Sequence, residues 1–216
     1  MSNDLIEPRR DYTSSTLSSG QLQSSPVEQF RLWLAEAREH KILDATAMTL
    51  CTADKSGQPH GRIVLLKQFD DEGFVWYTYQ ESNKGHELNE NPLASLLFYW
   101  RELERQVRIE GTVTRLNPAD ADDYFYSRPE GSRFSAAASI QSAPVSSRKE
   151  LETVVASLHE QYPDGNVPRP AVWGGYRIKP VRFEFWQGRA DRLHDRFVYS
   201  VSDTPSGHWH TQRLSP

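Results

Sequence analysis

The spacing of apolar residues changes period as the chain proceeds, and each change predicts a new element. Ser25-Pro26-Val27-Glu28 has the form of a helix start, with a capping serine and proline at the first helical position. Phe30, Trp33, Leu34 and Ala37 then recur at helical spacing, which predicts a helix to about His40. From Ala47 the period becomes that of strands, in runs 47–53, 60–69 and 74–80, separated by the turn sequences Asp54-Lys55-Ser56-Gly57 and Asp70-Asp71-Glu72-Gly73. A short helix over 82–91 stops at Pro92. Strand character resumes over 93–100 and 104–116, where Val107, Ile109, Gly111 and Val113 share one face. Helices are expected over 118–128 and 146–162, a loop from Pro163 to Pro170, and strands near 175–187, 192–201 and 208–214.

Many strands with short turns and a few inserted helices point to a mainly β fold, an antiparallel barrel rather than a doubly wound sheet. The length of 216 residues suits one domain, expected over 25–216. Residues 1–24 are rich in Ser, Thr, Gln and charge and are expected to be mobile without ligand.

A net charge of −4 provides no broad basic field, so nucleic acid is not an expected partner. No apolar stretch resembles a signal peptide or a membrane span, and the single cysteine, Cys51, has no second thiol to pair with. A cytoplasmic location is expected, with Cys51 as a buried strand residue rather than a nucleophile. His208-Trp209-His210 lacks a third ligand at a recognisable spacing, so no metal site is expected. Gly57 and Gly174-Gly175 do not form a dinucleotide fingerprint.

Four segments carry candidate chemistry. Arg62-Ile63-Val64-Leu65-Leu66-Lys67 looks like a buried strand with a cation at each end, and such cations need anionic partners. Ser82-Asn83-Lys84 opens a short helix, where free N–H groups and the positive end of the dipole suit a phosphate. Tyr124 and Arg128 stand one helical turn apart, Pro129 is expected to interrupt the helix, and Ser132 follows; two hydroxyls and a guanidinium suit a phosphate ester. In Arg192-Leu193-His194-Asp195-Arg196, strand alternation would put Arg192, His194 and Arg196 side by side on one face, an arrangement that calls for an anionic or electron-rich group above them.

Taken in order, these segments resemble the pyridoxamine 5′-phosphate oxidase family over nearly the whole chain. The likeness includes Arg9-x-x-Tyr12, Arg62 to Lys67, Tyr77-Thr78, Lys84, Leu103-Glu104-Arg105-Gln106, Tyr124 with Arg128 and Ser132, Gln141-Ser142, Trp186, 192–196 and the closing Arg213-Leu214-Ser215-Pro216. The resemblance implies an FMN-binding split β-barrel homodimer with FMN at the subunit interface. Arg62, Lys84 and Ser142 would hold the FMN phosphate. The backbone of Arg62, Ile63, Val64, Leu65, Leu66 and Lys67, with Tyr77, Thr78, Gln106, Gln141, Trp186 and Arg196, would surround the rest of the cofactor. Lys67, Tyr124, Arg128 and Ser132 would hold the substrate phosphate, Arg192 and His194 would act at the substrate ring, and Arg9 and Tyr12 would close over it.

The implied reaction oxidises pyridoxamine 5′-phosphate or pyridoxine 5′-phosphate to pyridoxal 5′-phosphate and reduces dioxygen to hydrogen peroxide. Two positions depart from the family pattern. Asn83 stands where the family usually has an arginine, a loss of one charge-assisted bond of roughly 1.5–3 kcal/mol, and Ala137 stands where it tends to have a tryptophan. The alternatives are a split-barrel flavoenzyme with another substrate, as in phenazine pathways, and a non-catalytic binder of flavin or pyridoxal phosphate. Keeping Lys67, Tyr124, Arg128 and Ser132 together argues against the first.

Overall fold

The structure, a computed structural model, describes residues 11–201 and 208–216. Five α-helices and nine strands lie among them: α1 Pro26–Glu39, β1 Ala47–Ala53, β2 Pro59–Leu65, β3 Gln68–Asp70, β4 Gly73–Tyr79, α2 Asn83–Glu90, β5 Leu93–Trp100, β6 Arg105–Arg115, α3 Pro118–Ser127, α4 Glu130–Ala138, α5 Arg148–Gln161, β7 Trp173–Gln187, β8 Asp195–Val201 and β9 Trp209–Leu214. In hydrogen-bonded order the strands run β2-β1-β5-β6-β7-β4-β3, with β8 on β7 and β9 on β8. The mainly β, antiparallel reading therefore stands. Contacts gather the chain into two compact units. One comprises Met1–Thr46, Leu96–Ile109 and Val181–Pro216, the other Ala47–Ser95 and Glu110–Pro180.

In the first unit, the Ser25 hydroxyl accepts from the Val27 amide at 3.2 Å and caps α1, and Pro26 fills a position whose N–H would have no helical partner. Val27, Phe30, Trp33, Leu34 and Ala37 are buried, as their spacing predicts. Phe30 packs on Phe98 at 4.9 Å between ring centres, and Trp33 meets Phe185 edge-on at 5.2 Å. Burying each such side chain contributes about 1.5–3 kcal/mol. Arg105, also buried, is satisfied by Gln187 at 2.8 Å and by Glu36, and its guanidinium lies over Trp33 at 4.4 Å.

Part of the segment expected to be loose is anchored in this unit. Leu17 is 3% exposed, its amide donates to Asp195, and the Tyr199 hydroxyl donates to the Gln23 carbonyl at 2.8 Å. An apolar side chain with a satisfied backbone explains why polar composition alone misled. Arg9, expected to close over the substrate, lies outside the described residues.

In the second unit, β1 and β2 form a hairpin running from Ala47↔Leu65 to Ala53↔Pro59. The Asp54 carboxylate closes its turn by accepting from the amides of Ser56 and Gln58, while Gly57 supplies the left-handed residue (φ 85°). The expected 60–69 run is two strands, broken at Leu66-Lys67. Nor is its first half a buried strand: Ile63 is 65% and Leu65 41% exposed, and the alternation turns Arg62 and Val64 to the half-covered side. Cys51 is likewise half-buried, because Met48, Leu50 and Thr52 take the covered face of β1.

Two other expectations change. After α3, Pro129 caps a new helix, α4, so Ser132 sits in the first turn of that helix rather than beyond a helix end. The β7–β8 hairpin pairs only from Gln187↔Asp195 outward, and Asp191 and Arg192 both adopt left-handed backbone (φ 53° and 61°). Arg192 and His194 are therefore in the hairpin loop, not on a strand face with Arg196. The chain reversal that two left-handed residues impose is incompatible with strand alternation there.

Candidate active site

The second unit holds a cleft of about 680 Å3. Arg62, Ile63, Val64, Leu65 and Lys67 reach it from β2 and the residues just after it, Tyr77 and Thr78 from β4, Asn83 and Lys84 from α2, Tyr124 and Arg128 from α3 and its C-cap, and Ser132 from α4, with Gln141 and Ser142 from the following loop. With Pro129 and Trp173, sixteen residues from scattered parts of the sequence thus line one cleft, and they include both predicted phosphate sites. Leu66 is buried instead, 4% exposed.

One cationic cluster in the cleft centres on Lys84, whose ammonium donates to Gln141 Oε1 at 2.7 Å, Ser82 Oγ at 3.0 Å and Thr78 Oγ1 at 3.3 Å. Gly85 lets α2 lie this close to β4, since a Cβ there would come within 1.9 Å of the Gln80 carbonyl oxygen. All three acceptors are neutral, and among the described residues no carboxylate bonds Lys84. Burial, reinforced by the Arg62 charge, lowers its pKa to about 8. Ser142, with φ 73°, turns its hydroxyl toward the start of α2, where it accepts from the Asn83 amide at 3.3 Å. Arg62 is already matched: its guanidinium bonds Glu87 at 2.9 Å, Thr52 Oγ1 and the Leu50 carbonyl.

A second cationic cluster centres on Arg128. Its guanidinium lies 4.9 Å over the Trp173 ring, and Nη1 is buried with no hydrogen-bond partner among the described residues. A buried donor in that state costs about 1–3 kcal/mol unless a ligand satisfies it. Burial also lowers the arginine's pKa. Tyr124 stacks on Tyr77 at 3.9 Å, and both rings lie nearly parallel to Trp173. Tyr77 pairs with Gly175, where a Cβ would lie 2.9 Å from the tyrosine ring, so the Gly-Gly pair serves close ring packing. Trp173 was not anticipated; its signal is an aromatic residue at a loop-to-strand junction directly before two glycines.

The remaining predicted residues belong to the first unit. Gln106 is half-buried on β6. Trp186 pairs across the sheet with Arg196 and packs at a tilt on His194 at 4.6 Å between ring centres, with Tyr12 edge-on to both rings. Arg192 is exposed. Burial and the Arg192 charge hold His194 below the usual histidine pKa. Arg196 does not face a row of like charges. It is held by Glu184, 3% exposed, through Nε at 2.8 Å and Nη2 at 2.7 Å, and by the Ser215 carbonyl through Nη1. Glu184, a lone acid between Phe183 and Phe185, is the second residue missed, and its isolation in an apolar strand is the signal. Among the described residues no group of His, Cys, Asp or Glu suits a metal ion, and no described helix is long and apolar enough to cross a membrane.

The cleft is thus lined by two cationic clusters, around Lys84 and around Arg128, and comparison with known proteins decides the family. Residues 34–170 match the family model described as pyridoxamine 5′-phosphate oxidase. The chain belongs to the pyridoxamine 5′-phosphate oxidase family. Residues 173–216 match that family's C-terminal dimerisation region. The chain is 47% identical to the pyridoxine/pyridoxamine 5′-phosphate oxidase of Cyanothece sp. over the full length of both, and 48% identical to that of Cytophaga hutchinsonii, again over both lengths. In structure it is similar to PhzG of Burkholderia lata, solved in complex with tetrahydrophenazine-1-carboxylic acid. The TM-score is 0.85 at 32% identity, covering 91% of this chain and 95% of that one. Membership makes the chain a flavin-dependent oxidase by class and its fold the split barrel expected from the sequence.

Proposed function

We propose that this chain is a cytoplasmic homodimer that oxidises pyridoxamine 5′-phosphate or pyridoxine 5′-phosphate to pyridoxal 5′-phosphate, with FMN bound at the subunit interface and dioxygen reduced to hydrogen peroxide. The observation that carries this reading is the pair of cationic clusters lining one cleft, around Lys84 and around Arg128. The Lys84 cluster, with Ser142 and the Asn83 amide, suits the cofactor phosphate because a buried ammonium bonded only to neutral acceptors gains most from an anion. Arg128, with Lys67, Tyr124 and Ser132 lining the same cleft, suits the substrate phosphate. The exposed apolar Ile63 and Leu65, with Leu93 at 62% exposure, suit a surface covered by self-association.

FMN, when bound, supplies the acceptor for the two electrons taken from the carbon bearing the amine or alcohol, and passes them to dioxygen. The residues of the chain orient and polarise. Binding energy from the phosphate at Arg128 and Lys67 positions the far end of the substrate. Arg192 and His194 polarise its ring, Arg196 sets positive charge by the cofactor, and Tyr12 helps to exclude water. Peroxide release on adding either substrate tests the reading against a non-catalytic binder. One peroxide per pyridoxal 5′-phosphate is expected, and product without peroxide, or no product, would overturn it. The likeness to PhzG favours a second reading, oxidation of an unphosphorylated phenazine precursor. That reading requires turnover without a substrate phosphate.

The pKa of Lys84 gives a further expectation. FMN affinity should fall as pH rises from 7 to 9, approaching tenfold per unit once the free ammonium loses its proton at about 8, because the phosphate needs the charged form. Apoprotein stability moves the other way. Between pH about 8 and 10.5 the unfolded chain holds a proton on Lys84 that the folded chain has released, so this group's contribution rises with pH. Titrations following quenching of flavin fluorescence at pH 7, 8 and 9 check this, and a flat affinity would remove Lys84 from the phosphate site.

A further inference from the structure

The chemistry above uses His194 and Arg196 but gives no task to Asp195 between them, although the residue is buried, 8% exposed. One oxygen, Oδ2, accepts from the Leu17 amide at 3.1 Å and from Arg189 Nη1 at 3.0 Å, and the other accepts from Arg213 Nη1 at 2.7 Å. Burial alone would raise the pKa of Asp195, but the bonds from Arg213, Leu17 and Arg189 outweigh it and hold the group ionised. Three parts of the chain therefore meet on one carboxylate: the N-terminal segment that carries Tyr12, the 188–194 loop and β9. Arg213 strengthens the junction by lying 4.4 Å over the Phe197 ring, with Nη2 reaching the Leu17 carbonyl at 3.4 Å.

The second observation concerns His194. Its Nδ1 lies 3.1 Å from the Arg189 backbone nitrogen. A backbone N–H only donates, so Nδ1 is the acceptor and the single proton of the neutral ring is on Nε2. The residue that fixes this tautomer is the one whose side chain Asp195 grips. Tyr12 completes the arrangement. Its ring lies against Gly188, where a Cβ would come within 2.7 Å of Tyr12 Cγ, and meets Trp186 and His194 edge-on.

We propose that Asp195 is a positioning residue, a buried clasp that fixes His194 as its Nε2–H tautomer through Arg189 and holds the Tyr12 segment against it through Leu17. His194 is thereby a hydrogen-bond donor toward the substrate ring and not a proton acceptor. The clasp stands on geometry alone; what it positions rests on the oxidase reading.

The test uses the full-length protein with FMN and compares the wild type, Asp195→Asn and Arg213→Met. Without substrate, Asp195→Asn is expected to speed hydrogen exchange of the Leu17 amide at least tenfold. Nitrogen-15 spectra of the His194 ring are expected to change from a single Nε2–H tautomer to a mixture. With substrate, KM is expected to rise five- to tenfold, more than kcat falls, with FMN content unchanged. Arg213→Met changes a side chain that is half exposed, so it decides the matter with smaller effects of the same sign if Asp195→Asn fails to fold. Gly188→Ala separates the parts: it should raise KM by displacing Tyr12 while leaving Leu17 exchange as in the wild type. Unchanged Leu17 exchange and an unchanged His194 tautomer would overturn the clasp, as would a loss of melting temperature unaccompanied by either change. If both signals respond in a protein that oxidises neither phosphate, the clasp stands and the oxidase reading falls.

Discussion

Replacing Arg128 with alanine is expected to raise KM for pyridoxamine 5′-phosphate about 10- to 100-fold while leaving FMN affinity within twofold. The guanidinium lies over Trp173, and its buried Nη1 has no protein partner among the described residues. A phosphate ester would complete it with charge-assisted bonds worth about 1.5–3 kcal/mol, and each 1.4 kcal/mol is about tenfold in binding. Arg128→Lys should recover little of the loss, because an ammonium keeps the charge but not the planar fork or the stacking on indole. Steady-state kinetics with phosphorylated and unphosphorylated substrates check this. The penalty should vanish for unphosphorylated pyridoxamine, and a KM changed less than twofold for the phosphate ester would place the substrate elsewhere.

Lys84→Met is expected to weaken FMN binding by about 100-fold or more and yet leave the apoprotein as stable as the wild type, or slightly more so. The first effect follows from removing the cation at the centre of the cofactor cluster, where Arg62 is already matched by Glu87. The second follows from burial. An ammonium surrounded by Gln141, Ser82 and Thr78 but no bonded carboxylate carries a desolvation cost that a methionine of similar shape lacks. A lysine with a purely structural role would give the opposite pair, a lower melting temperature and unchanged flavin affinity. Thermal unfolding with and without FMN, alongside flavin titration, separates the two. Asn83 stands beside this site where the family pattern has an arginine, and Asn83→Arg is the natural companion variant, expected to tighten FMN.

Where one side of an element is buried and its ends carry local signals, the sequence was legible. The β6 alternation and the α1 stripe behind Ser25-Pro26 both follow from that. It was illegible where backbone geometry or a missing neighbour decides the outcome. α4 buries only Phe134, so Ala136, Ala137 and Ala138 leave no stripe to detect. Ile63 and Leu65 have the composition of a core strand, but apolar residues that lie on a free surface read the same as those inside. The 188–194 loop eluded strand alternation because two non-glycine residues take left-handed backbone, which composition does not mark. The candidate site followed the same rule. Lys84, Arg128, Tyr124 and Ser132 were found from hydroxyl and cation spacing, whereas Trp173 and Glu184 matter through packing and ion pairing that only the folded chain displays.

The central claim is that one cleft brings a flavin and a phosphorylated pyridine together for redox chemistry. Anaerobic titration of the FMN-loaded protein with pyridoxamine 5′-phosphate, and separately with pyridoxine 5′-phosphate, tests it most directly. The flavin absorbance near 450 nm is expected to bleach to completion with about one equivalent of substrate per bound flavin, on the order of one two-electron transfer each, and to return on admitting air. A flavin that binds but keeps its colour with both substrates would contradict the account.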